Sequence, residues 1–176
     1  ENLSFTIGES IVYSEQLQPI YLIPVMFFRV ADHYLSRDNA SASGNAQLFA
    51  DASYSNQSIR TKFYGSLFID ELSLNSIFEG GNLSALGYTL GFESADILID
   101  NSTLGIEYTR VNPFVYMNSV DAQTFANDSY TLGNWTGSNG DIVSFIYKQY
   151  LMRSLNFTIK TWYFRKGKKE LPDEQY

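Results

Sequence analysis

Cysteine is absent from the 176 residues, which excludes a disulfide framework and any thiolate metal site. Histidine occurs once, as His33 beside Asp32, and no second ligand stands at a metal-binding spacing, so neither a metal nor a cofactor is expected. Basic residues are scarce: 12 Lys and Arg against 19 Asp and Glu give a net charge of −7, which argues against a nucleic-acid partner. The one basic run, Arg165 to Lys169, reads as the turn at a strand end. No stretch reaches ~18 uninterrupted apolar residues, so no transmembrane helix is expected, and the first residues lack the basic and apolar regions of a signal peptide. Enzyme signatures are missing as well. There is no Gly-x-Ser-x-Gly elbow, and the glycines at 133, 137 and 140 surround Trp135 where a phosphate loop would need small residues.

What the chain has in abundance is aromatic side chains, 16% of the sequence, a content suited to rings seated at a membrane interface. The segment from Ser58 to Leu74 organises the rest. Ile59, Thr61, Phe63, Gly65, Leu67 and Ile69 fall on one face of an extended strand, and Arg60, Lys62, Tyr64, Ser66 and Asp70 on the other, because successive side chains alternate across the pleat. Phe68 alone interrupts the polar face.

The same two-faced pattern recurs along the chain. Residues 2–13, 46–55, 85–93, 102–111, 141–150 and 155–165 all alternate, giving about seven strands of a length that crosses a bilayer at a tilt. Two segments break the pattern. Residues 16–36 include a nearly continuous apolar run between Pro19 and Phe28 and predict a re-entrant or short helical insertion. Residues 112–140 have no sustained period and predict a long external loop. The last two strands are joined by a tight turn around Met152, Arg153 and Ser154. Eight Asn-x-Ser/Thr triplets follow from the abundance of these residues; those at Asn2 and Asn156 lie inside strands, where a glycan would be awkward.

An antiparallel transmembrane β-barrel segment, residues 1–176 as one unit, accounts for this pattern, with apolar faces to lipid and charged faces in a wet lumen. A soluble antiparallel β-sandwich is the alternative, with the charged faces in solvent. The adjacent carboxylates Asp70 and Glu71 point to opposite faces and cannot act as an acid/base pair. Ion pairing within the lumen wall, Asp70 with Arg60 or Lys62, or a role at the strand end, is expected instead. Seven strands do not close a barrel of this kind, whose strand number is at least eight, so further strands are expected outside this chain.

Four short motifs carry a resemblance: Gly8-Glu9-Ser10 with Tyr13; Tyr64-Gly-x-Leu-x-Ile-Asp70-Glu71; Glu107-Tyr108-x-Arg110-x-x-Pro113-x-x-Tyr116; and Leu132-Gly133-x-x-x-Gly137-x-Asn139-x-Asp141. Together they resemble the Wzi-like capsule-assembly family of outer-membrane proteins, in its Bacteroidetes-type form. The resemblance implies a non-enzymatic barrel of about eighteen strands in the bacterial outer membrane, of which this chain is one part, with surface polysaccharide, membrane lipid and the remainder of its own barrel or other envelope proteins as partners. Residues around the long loop, Glu107, Arg110, Tyr116, Trp135, Asn139 and Asp141, are the candidate glycan ligands, since ring faces stack on sugars while acceptors take their hydroxyls; the alternative is that Arg110 pairs with a carboxylate and the aromatics only fold the loop. A passive porin and a secreted glycan-binding or surface-layer sandwich are the competing functions.

Overall fold

In a computed structural model the described residues are 2–13, 19–23, 27, 44–70, 85–97, 99–118, 121–128 and 130–168. They form an all-β, antiparallel structure. Seven strands, β1 (Leu3–Val12), β2 (Asn45–Asn56), β3 (Thr61–Ile69), β4 (Leu86–Ala95), β5 (Ser102–Val111), β8 (Gly140–Met152) and β9 (Leu155–Lys166), make one sheet in the order β1-β2-β3-β4-β5-β8-β9. The sequence between β5 and β8 holds a separate two-stranded hairpin, β6 (Ala126–Asn127) and β7 (Tyr130–Thr131). Every strand of the large sheet pairs antiparallel with the strand that precedes it there. No helix among the described residues is long and apolar enough to cross a membrane.

Connection lengths alternate between the two ends of this meander. Residues 57–60, 96–101 and 153–154 make short turns at one end, whereas residues 13–44, 70–85 and 112–139 link strands at the other. The expected turn before the Ser58–Leu74 segment lies slightly later: Ile59 and Arg60 belong to the turn, and the ladder starts at Thr61. Asn56 is the reason, because its Oδ1 accepts from the Ser58 and Ile59 N–H groups and closes the bend there. Of the insertion expected over 16–36, a 3-10 turn at Pro19–Leu22 is described; residues 16–18, 24–26 and 28–36, the last including His33, lie outside the described residues, as does Glu71.

The registers put all the strongly apolar sets on one face. Reading across one row, Phe5 stands opposite Ala52, Ala52 opposite Gly65, Gly65 opposite Leu90, Leu90 opposite Tyr108, Tyr108 opposite Val143, and Val143 opposite Tyr163. Among the described residues nothing packs over this face: Leu3, Phe5 and Leu90 remain 68%, 64% and 59% exposed. The buried apolar side chains among the described residues are Val111, Val115, Tyr116 and Ile142. Val111 and Ile142 share the opposite, polar face, as their pairing with Gly87 and Thr109 requires. The largest apolar surface of the sheet is therefore on the side without a core.

The polar face carries Asp51, Lys62, Glu93, Glu107, Lys148 and Lys160, and it is hollowed. One depression is lined by a polar-face residue from each of five strands, Ser4, Asp51, Tyr64, Thr89 and Glu107. A second extends it through Ser144 and Lys148 on β8.

Glycines shape this wall. The Tyr64 ring lies across Gly91 on the neighbouring strand, and a Cβ there would meet the ring at 2.4 Å. Crossing that glycine lets the Tyr64 hydroxyl donate to Glu107 Oε2 at 2.8 Å, two strands away. Phe49 covers Gly8 in the same manner. Gly91→Val should push the Tyr64 ring off the wall, break its bond to Glu107 and destabilise the sheet by about 1–3 kcal/mol, the usual range for overpacking; equilibrium unfolding of the variant against wild type measures it.

Candidate functional site

The connection 112–139 begins at β5 and folds back over the polar face. Its Tyr116 and Phe125 rings pack on Phe68, at centroid separations of 5.3 and 5.5 Å, and stack on one another at 5.8 Å. Phe68, which interrupts the polar alternation of its strand, is thus the anchor on which the loop's small core with Val111 and Val115 is built.

Asp70 fixes that core from the end of β3. Its Oδ2 accepts from the Tyr116 backbone N–H, and its Oδ1 from Asn45 Nδ2 at 3.3 Å. Asn45 Nδ2 also donates to the Gln123 carbonyl at 3.2 Å. Behind Asn45, its carbonyl accepts from Gln47 Nε2 and Gln47 Oε1 accepts from Ser10 Oγ, both at 2.9 Å, so a polar chain runs from β1 through β2 into the loop. Asp70 is 2% exposed, and a buried carboxylate is tolerable because these donors satisfy it. Tyr116 has φ of +69°, a rare region for a bulky residue, and the contact with Asp70 together with the ring packing holds it there. Its ring lies on Gly133, where a Cβ would meet it at 2.2 Å, and its hydroxyl accepts from the Asn134 N–H at 2.9 Å. Burial pushes the Tyr116 hydroxyl above its ordinary pKa, with the Asn134 N–H pulling the other way and the Asp70 charge adding to the rise.

The far side of the loop is tied to β8 and β9. Lys166 Nζ donates to the Thr136 carbonyl at 2.6 Å and also to that of Ser138. Asn139, at φ +52°, accepts from the Gly167 N–H at 2.8 Å through its own carbonyl. Its side-chain Nδ2 donates to the Lys168 carbonyl at 2.8 Å. Trp135 leans on Phe164 at 5.6 Å and remains 69% exposed.

The ion pairing expected among Arg60, Lys62 and Asp70 does not form. Asp70 stands at the opposite end of β3 from the other two, a separation fixed by the extended strand between them. Arg60 sits in the turn, at φ +49°, and pairs with Asp96 of the next turn. Lys62 faces Glu93 in the register and lies 6.0 Å from the Tyr64 ring centroid.

The six candidate glycan residues divide into separate groups. Glu107 lies along the polar wall, engaged by Tyr64. Tyr116 is buried and serves the loop's own core, so its ring face is not offered to a sugar. Arg110, Asp141 and Arg165 form a cross-strand row on the apolar face at its long-connection end. Asp141 accepts from Arg165 Nε at 3.1 Å and from its Nη2 at 2.6 Å, and lies 3.7 Å from Arg110 Nη1. Arg110 also reaches Asn139 Oδ1 at 3.5 Å and Asn112 Oδ1 at 3.2 Å. Arg110, Asn139 and Asp141 are therefore brought together, while Glu107, Tyr116 and Trp135, which leans on Phe164 of the polar face, are not part of that group. The interrupted alternation at Phe68 was the one sequence signal for the loop anchor; nothing in the spacing pointed to Asn45 or Gln47.

No family model, curated protein or solved structure matches this chain.

Asp70→Ala should leave the Tyr116 N–H and the Asn45 amide without their acceptor and loosen residues 112–125. A loss of about 1–3 kcal/mol is expected for the unsatisfied buried donors, visible as faster hydrogen exchange in that segment with β8 and β9 unchanged.

Proposed function

We propose that this chain is a length of wall from a transmembrane β-barrel of the bacterial outer membrane, of the non-catalytic, Wzi-like capsule-assembly kind, and that its rim holds surface polysaccharide. One observation carries the barrel reading: the sheet is hollowed on its charged face, and among the described residues its apolar face is uncovered. A two-sheet sandwich buries its apolar faces against each other, whereas a barrel turns that face to lipid and tolerates charges in a hydrated interior. Strands of 9 to 13 residues are long enough to span. Short turns at one end and long connections at the other match the periplasmic and extracellular ends of such barrels, which supports an extracellular root for the connection 112–139.

The Arg110–Asp141–Arg165 row fits the same frame. It lies at the end of the apolar face, where a bilayer gives way to water, and Tyr88 directly precedes it in the register while Tyr108 and Tyr163 flank it one row inward. Amphipathic rings and charges belong at that level. On the rim side, Trp135 offers an exposed ring face, and Arg110 and Asn139 offer donors and acceptors with the buried Asp141 holding Arg110 in place, and a ring face with such groups is what a saccharide requires.

The full gene product should stay folded only in detergent or lipid, and should migrate differently on gels before and after boiling. Monodisperse, folded protein in plain buffer would remove the membrane reading. In cells, Trp135→Ala should lower the amount of capsular polysaccharide retained at the surface at unchanged levels of the protein; unchanged retention would remove the ring from the glycan site.

A further inference from the structure

The geometry points to a second role for the connection 112–139: it is an internal constriction that sets the size of solute able to pass the barrel. This rests on the barrel reading and adds a function to it. A rim loop that merely presented a glycan site would project away from the strands, but this one folds inward across the charged face. From its root on β5 it passes β4 to pack on Phe68 of β3, and Gln123 reaches Asn45 on β2. At the ordinary spacing of neighbouring strands, reaching β2 means crossing ~14 Å of that face. The return limb then meets β9 through Lys166 and Phe164. The same connection therefore touches polar-face residues from β2 to β9, and in a closed barrel that face is the lumen. Its attachment is directional: apolar packing on Phe68 and the buried Asp70 acceptor are both on the inner side, and neither has any part in binding a glycan outside.

Two variants test it, each made in the full gene product and reconstituted in planar bilayers and in liposomes. Replacing residues 117–131 by a short Gly-Ser linker removes the span across the lumen. Asp70→Ala releases its inner attachment and leaves its length intact. Both should raise single-channel conductance several-fold and let larger neutral oligosaccharides enter in liposome swelling. Because the chain has no cysteine, Asn45→Cys with Gln123→Cys can be joined by a short thiol cross-linker in the Asp70→Ala background, and this should return conductance toward wild type until the linker is cleaved. If the variants insert and show the boiling-dependent shift in gel mobility, yet conduct and exclude solutes as wild type does, the constriction is refuted and the barrel stands. If neither wild type nor variant inserts or shifts on boiling, the barrel reading fails, and the constriction fails with it.

Discussion

Antiparallel registers lock the parity of one strand to that of the next, and in this protein six successive registers hold the same parity from β1 to β9. A slip of one residue at any of them would carry a whole strand's apolar set onto the charged face. Everything else depends on that alignment. It gathers Phe5, Leu90, Val143 and Tyr163 into one surface and Lys62, Glu107 and Lys148 into the other, so that neither face can be mistaken for the two-sided mixture of a randomly paired sheet. The short turns enforce it locally: Asn56 closes the bend before Thr61, and Ser102 Oγ donates to the Ile99 carbonyl at 2.6 Å to close the one before β5.

With parity fixed, the two faces do different work. The charged face accommodates large rings by removing Cβ atoms beneath them, as with Tyr64 over Gly91 and Phe49 over Gly8, so the wall stays thin while it gains hydrogen bonds across several strands. The same face receives the connection 112–139, whose small aromatic core and buried Asp70 make it an extension of the wall. The apolar face has no such partner among the described residues, and its few charges, Glu9 and the Arg110–Asp141–Arg165 row, lie toward the long-connection end. Two guanidinium groups around one carboxylate give that row both neutralisation and bidentate geometry.

Much of this was legible in the sequence, because strand periodicity is a local property. The alternating segments from Leu3 to Lys166 correspond to the seven strands of the sheet, and Phe68 announced itself as an exception to the polar face. The candidate site was less legible, for a physical reason. Arg110 and Asp141 are distant in sequence and meet only through the β5–β8 register, and Tyr116 turns inward because Asp70, from another strand, takes its N–H. Asp70 looked like a partner for Arg60 and Lys62 because all three share a face; the rise along an extended strand puts them at opposite ends. Face can be read from parity, whereas the partner is decided by depth along the strand and by which loop folds over it.

The central claim is that the uncovered apolar face meets lipid chains. With Trp135 and Trp162 changed to Phe, a single Trp can be placed at Leu90, on that face, or at Thr89, beside it on the charged face, and the protein reconstituted in lipids brominated along their acyl chains. The account predicts strong quenching of the Leu90→Trp fluorescence and little for Thr89→Trp. Absence of quenching at position 90, or equal quenching at both, would contradict it.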